Sequence, residues 1–263
     1  MNERLKGRQY GYLTDTNNKR SIRGVNHQQV AGYSVGIVYI EDVYYPMLPG
    51  NVVNACTYDF PVRMKAVPNS VCDRLFSADE TLLKDLIETA KHLIEKDGVR
   101  AICSACGFFG NYHKQVAQAV DVPVALSSLV QIPWIRNVIK PNQKIGILTA
   151  TTTSFTPKLL NNCNVTDHNN LVVRGLENAK NFSVIIKNQG CFDNGMAQQE
   201  VVDAALSLFE DEGDIGAILL ECSDMPPYAA AVQEATQLPV FDFITLIKWL
   251  HNATAQRPYS GWI

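Results

Sequence analysis

Two stretches of this chain match each other without a gap. Ala101-Ile-Cys-Ser-Ala-Cys106 is followed by Tyr112, Val116, Ala119 and Pro123-Val124. Ala217-Ile-Leu-Leu-Glu-Cys222 is followed by Tyr228, Val232, Ala235 and Pro239-Val240. The separations 222 − 106 and 239 − 123 are both 116. A fainter echo lies upstream, where Val35-Gly-Ile-Val38 resembles Ile145-Gly-Ile-Leu148. A duplicated unit must repeat one order of strands and helices, and a pseudo-two-fold relation brings equivalent strand ends together. Each half carries one thiol at the same place. Two thiols facing across a cleft can remove a proton from one side of a carbon and return it on the other.

The chain has 263 residues, which allows two halves of roughly a hundred residues each. Its hydrophobic content of 46% is enough for a buried core. No apolar run approaches the ~20 residues needed to span a bilayer, so no membrane association is expected. Net charge is −3 and no Lys/Arg block stands out, which argues against a nucleic-acid partner. Met1-Asn-Glu-Arg-Leu-Lys lacks a signal-peptide hydrophobic region, and the cysteine count is odd at 7. Reduced thiols and a cytoplasmic location are expected.

Patterning implies an α/β fold. Residues 1–33 are polar and read as an N-terminal extension or arm. Val35 to Ile40 and Lys144 to Thr149 are short β-branched runs typical of buried parallel strands. Ser77-Ala-Asp-Glu80 reads as a capping box for a helix whose apolar positions run from Leu82 to Ile94. A strand from Arg100 to Ala105, a helix from about Gly110 to Val120 and a strand from Val122 to Ser127 follow. In the second half, Pro157 opens a helix, Val184 to Lys187 reads as a strand, and a helix covers Ala197 to Glu210. The strand Gly216 to Leu220 leads to Cys222, Pro226-Pro227 opens another helix, and Ile244 to Asn252 forms the last one. The expected units are 34–132, with 245–263 packing back on it, and 133–244.

Both Cys106 and Cys222 fall where a strand gives way to a helix. Ligands of open parallel sheets bind at the carboxyl ends of strands. Free N–H groups there favour a thiolate and can bind a carboxylate. Single cysteines most often just pack, as expected for Cys56, Cys72, Cys163 and Cys191. Cys103 forms a C-x-x-C with Cys106, but strand alternation puts the two on opposite faces, against a redox or zinc pair. No metal site is expected.

The motifs Ser104-Ala-Cys-Gly-Phe108 and Glu221-Cys-Ser-Asp-Met-Pro-Pro-Tyr228, with Leu48 to Thr57 and Phe60-Pro-Val62, resemble the aspartate/glutamate racemase superfamily. That superfamily includes hydantoin racemases, maleate isomerases and arylmalonate decarboxylases. The resemblance covers roughly residues 34 to 250. It implies two flavodoxin-like halves, each a parallel sheet flanked by helices, with the active site between them. It also implies cofactor-independent two-base chemistry by Cys106 and Cys222. Glutamate racemases follow the second cysteine with Thr-His, where this chain has Ser223-Asp224. They also carry Asp-Ser after the first strand, where this chain has Glu41-Asp42.

The expected activity is a racemase or epimerase acting on an amino acid or related α-carboxylate. The alternatives are a maleate-isomerase-like or decarboxylase-like enzyme, or a non-catalytic small-molecule binder. Donors for the substrate carboxylate and the developing enolate are sought in the N–H groups of Gly107 and Ser223. The side chains of Asn54, Ser104, Thr149, Thr151, Thr152 and Thr153 are further candidates. Tyr112 and Tyr228, matched by the repeat, are expected to pack, and Phe108, Phe109 and Trp134 to form core or cleft wall. His113 is expected to be structural, and the expected assembly is a homodimer.

Overall fold

A computed structural model describes residues 27–263. Most of the arm expected at 1–33 lies outside the described residues.

The duplication is visible in the topology. Strands β1 (Val35–Ile40), β2 (Val62–Val67), β3 (Ala101–Ala105) and β4 (Val124–Ala125) form one parallel sheet in the order β2-β1-β3-β4. Strands β5 (Lys144–Thr149), β6 (Leu171–Gly175), β7 (Ile215–Leu220) and β8 (Val240–Phe241) form a second in the order β6-β5-β7-β8. Register follows the sequence repeat: Val35 lies opposite Ala101 as Ile145 lies opposite Ala217, and Ile102 opposite Val124 as Ile218 opposite Val240. The two-lobed α/β architecture is thus the one expected. Strands β3 and β7 are buried at every residue, because helices cover both faces of each sheet.

Helix α2 (Leu82–Glu95) packs on β1 and β2. Its buried residues Leu82, Leu86, Ala90 and Leu93 recur at three- and four-residue spacing, each leucine worth roughly 1.5–3 kcal/mol of apolar burial. Helix α7 (Asn194–Glu212) covers the second sheet. The last helix, α9 (Phe243–Thr254), returns to the first sheet. Its Phe243, Leu246, Ile247 and Leu250 share a core with Val35, Ile37, Ala101 and Cys103. A capping box of Asp242 and Thr245 opens this helix.

Several local expectations are corrected. Ser77 does not cap α2; its hydroxyl donates to the carbonyls of Asp73 and Arg74, at the end of a helix the sequence did not suggest, α1 (Cys72–Phe76). Ala78 has φ 53°, so the chain turns before α2 begins. Gly107–Tyr112 is a 3-10 turn, which shortens the expected helix to α3 (His113–Ala119). The expected strand at 184–187 belongs to helix α6 (Phe182–Ile186). There the Glu200 carboxylate accepts the backbone N–H groups of Asn181 and Phe182 at the helix start. That cap comes from α7, so the β-branched run Val184-Ile-Ile186 was misleading on its own. Strands β2 and β6 and helix α4 (Ile132–Val138) were not anticipated, whereas α5 (Pro157–Asn162) opens at Pro157 behind the Thr156 cap as expected. Helix α8 (Ala229–Thr236) follows a 3-10 turn at Pro226–Tyr228. No helix among the described residues is long and apolar enough to cross a membrane.

Candidate active site

Cys106 follows the end of β3 and Cys222 follows β7 by two residues, so the sheet pairing places both at carboxyl ends of central strands. They line one cleft between the lobes, which encloses roughly 590 Å³ including the space at its mouth. The β1–β2 loop roofs it. Gly50 (φ 100°) lies against the backbone of Pro227, and the Val52 N–H donates to the carbonyl of Ser223. Tyr45 and Asn51 of the same loop reach across the cleft to Asp224. Ile185 and Ile186 of α6 supply an apolar wall, and Phe76 and Phe108, edge to face, supply another.

The electrostatics of the cleft are one-sided. No Lys, Arg or His lines the cleft among the described residues, while Glu221, fully buried, and Asp224, partly buried, both do. Burial pushes the Asp224 carboxyl above the usual range, opposed by hydrogen bonds from the Tyr45 hydroxyl (2.8 Å), Asn51 and the Cys222 thiol (3.5 Å). Burial pushes Glu221 up to about 7, opposed by the Thr149 hydroxyl donating to Oε2 at 2.8 Å and by the Ala150 N–H. Its Oε1 has no hydrogen-bond partner among the described residues.

The thiols do not behave as their position in the sequence suggested. Burial raises Cys106 well above the ordinary thiol value, aided by Cys72 and Glu221; the Phe108 N–H opposes it only in part. Burial and the Asp224 and Glu221 carboxyls do the same to Cys222. Both side chains are therefore thiols rather than thiolates at neutral pH. The turn after Cys106 is a short 3-10 segment, too short for a dipole to offset desolvation. A positive charge brought into the cleft reverses this balance.

The candidate residues divide into two groups. Cys106, Gly107, Cys222 and Ser223 line the cleft. Asn54 does not; it caps the turn Ala55–Thr57 through the Cys56 N–H and donates to the Met47 carbonyl. Ser104 is consumed inside the first lobe, donating to the carbonyls of Leu126 and Cys106. Thr149 reaches the cleft only through Glu221, Thr151 and Thr153 hydrogen-bond each other, and Thr152 donates to Glu177. Tyr112 and Tyr228 are buried packing residues whose hydroxyls bind the Asp79 carbonyl and the Asn194 side chain. His113 is buried, with the Leu126 N–H directed at its ring. Phe109 is core, but Trp134 is 55% exposed, because α4 turns that face outward. Cys103 packs beneath α9, in a different core from Cys106. Sequence reasoning missed Tyr45, Asn51, Glu221 and Asp224. The last two sit within the quoted cysteine motif, flanking Cys222.

No family model matches the chain. It is 30% identical over 237 residues to a dimethylsulfoniopropionate lyase of Durusdinium sp. clade D, which spans 87% of this chain and 77% of that protein. The chain belongs to the dimethylsulfoniopropionate lyase family. Dimethylsulfoniopropionate lyase 7 of Emiliania huxleyi (strain CCMP1516) is 29% identical over 239 residues, 87% of this chain and 69% of that protein. The solved structures it resembles carry the fold of the aspartate/glutamate/hydantoin racemase superfamily. They include an allantoin racemase from Klebsiella pneumoniae, at TM-score 0.57 and 15% identity, covering 84% of this chain and 88% of that one. An aspartate racemase homologue from Pyrococcus horikoshii OT3 aligns at TM-score 0.54 and 18% identity, covering 85% and 99%. Arylmalonate decarboxylase aligns at TM-score 0.53 and 14% identity, covering 86% and 94%. The family is one of enzymes, and its named sequence relatives here are lyases rather than the racemases the sequence suggested.

Proposed function

We propose that this chain is a lyase that removes the α-proton of a carboxylate carrying a cationic leaving group on its β-carbon. Dimethylsulfoniopropionate, named for its relatives, is the substrate proposed. The observation that carries this reading is the pairing of two opposed thiols with the partly buried Asp224 carboxyl in a cleft lined by no basic side chain among the described residues. The sequence relationship to lyases supports it independently.

Such a substrate brings its own positive charge. Seated beside Asp224, the sulfonium offsets the cost of burying that carboxylate and lowers the pKa of the neighbouring thiols. One thiolate of the pair Cys106 and Cys222 then takes the α-proton. The electron pair of the broken C–H bond becomes the C=C bond of acrylate. The C–S bond breaks with its electrons on sulfur, and neutral dimethyl sulfide leaves. The thiol formed returns its proton to solvent. No second proton donor is required, because the leaving group departs uncharged. Positioned proton transfer is typically worth 10²–10⁴-fold. Purified protein with dimethylsulfoniopropionate is expected to release dimethyl sulfide, measured by headspace gas chromatography, at a rate lowered about 100-fold or more by Cys106→Ser or Cys222→Ser. Undiminished release from both variants contradicts the reading.

The matched thiols also support a second reading. Where the β-carbon carries no leaving group, the opposite thiol reprotonates the α-carbon and the product is the mirror-image acid, as in a racemase.

A further inference from the structure

Glu221 is a buried, cleft-lining carboxyl that the elimination does not use. It is fully buried, and it belongs to the cysteine motif of the second lobe. Its two oxygens are in different situations. Oε2 accepts the Thr149 hydroxyl; Oε1 has no partner among the described residues and lies over the backbone of Gly107, where a β-carbon would stand 1.7 Å away. A buried carboxylate oxygen without a donor is costly, whereas a buried carboxylic acid whose hydroxyl faces a ligand is not. The titratable groups beside it are thiols, Cys106 after β3, Cys222 after β7 and Cys163 after α5, and Asp224 lines the same cleft. Cys72 of α1 completes this side of the cleft. Among the described residues no neighbour in the lining supplies a compensating cation.

We propose that Glu221 works as a neutral acid, its Oε1 hydroxyl donating a hydrogen bond to the substrate carboxylate and to the enediolate that forms as the α-proton leaves. This supplies the donor that the threonines and Ser104 do not, and it rests on the reading that the substrate is a carboxylate activated at its α-carbon. The two acidic side chains then divide the substrate: Asp224, ionised, takes the onium end, and Glu221, protonated, takes the carboxylate end. An apolar site that keeps a carboxylic acid neutral at pH 7 so that it can donate to a developing enolate is a known catalytic device. The raised titration of Glu221 fits this role.

The test uses Glu221→Gln, which keeps a donor, and Glu221→Leu, which does not. Infrared difference spectra of the wild type against Glu221→Gln are expected to show a protonated carboxyl band at pH 6 that fades by pH 8 and shifts when 3-(trimethylammonio)propionate is added. Elimination activity of the wild type is expected to fall on the alkaline side as that band fades. Glu221→Gln is expected to lose this limb and stay within about tenfold of wild-type kcat/KM, and Glu221→Leu to lose more than 100-fold. Absence of the band, an unchanged alkaline limb in Glu221→Gln, or equal activity of the two variants overturns the proposal. Should the wild type eliminate nothing, the lyase reading falls. The band and its shift with the analogue then decide the role of Glu221 alone.

Discussion

At the scale of single residues, burial decides the chemistry. Cys106 and Cys222 were legible because the repeat pairs them. Glu221 and Asp224 stood in the same motif but carried no sign of their role, since Asp and Glu are almost always exposed and sequence does not show which are buried. Asn54, Ser104 and the threonine cluster looked like anchors because of their donors. Those donors are spent within the lobes, a distinction that only three-dimensional partners reveal. Two outcomes follow at this scale. Asp224→Asn removes the charge facing the onium end, so KM for dimethylsulfoniopropionate is expected to rise at least tenfold in steady-state assays, while affinity for propionate changes little. Glu221 also couples stability to pH. Its carboxyl titrates near 7 when folded against 4.5 ordinarily, so the folded protein holds this proton more tightly. The stabilisation linked to that proton is present in full below about pH 4.5 and lost as pH rises through 7, a loss of about 3 kcal/mol for a shift of this size. Glu221→Gln lacks the loss, so urea midpoints are expected to favour the variant at pH 8 and not at pH 4. A variant less stable than wild type at pH 8 contradicts this account.

Among the secondary elements, the central strands and the long helices announced themselves. Strands β1, β3, β5 and β7 are continuous apolar runs, and α2, α7 and α9 carry apolar stripes of helical spacing. The peripheral pieces did not. Strands β2 and β6 are partly exposed edges with weak patterns, and α6 owes its helical start to Glu200 of another helix. From the β1–β2 loop the sequence singled out Asn54 as a site residue, not Tyr45 or Asn51. The loop's function depends on docking against the second lobe, which local pattern does not encode. Gly50 is the contact that allows it: its φ is 100°, and a β-carbon there would stand 2.8 Å from the Pro227 Cα. Gly50→Ala is expected to lift this loop, raising KM more than it lowers kcat and speeding limited proteolysis between residues 43 and 53. Unchanged proteolysis and kinetics would show that the loop is held elsewhere.

In the whole molecule, duplication explains why the site lies where it does. Two sheets of the same strand order present equivalent strand ends, and each delivers one thiol to the cleft. The halves are not equivalent in chemistry. The second lobe supplies the cleft acids Glu221 and Asp224, whereas the first contributes the roof with Tyr45 and Asn51. Helix α9 runs from the end of the second sheet and buries Leu246 and Leu250 against the first, tying the lobes into one body. A symmetric pair of thiols suits racemisation, and this asymmetric set of acids suits a substrate with one cationic and one anionic end. One experiment separates the two directly. Proton NMR in D₂O follows dimethylsulfoniopropionate with the wild type, Cys106→Ser and Cys222→Ser. Acrylate and dimethyl sulfide are predicted to appear together in the wild type, with formation strongly slowed in at least one of the two variants. Exchange of the α-protons for deuterium in intact substrate, with no acrylate formed, would contradict the lyase reading.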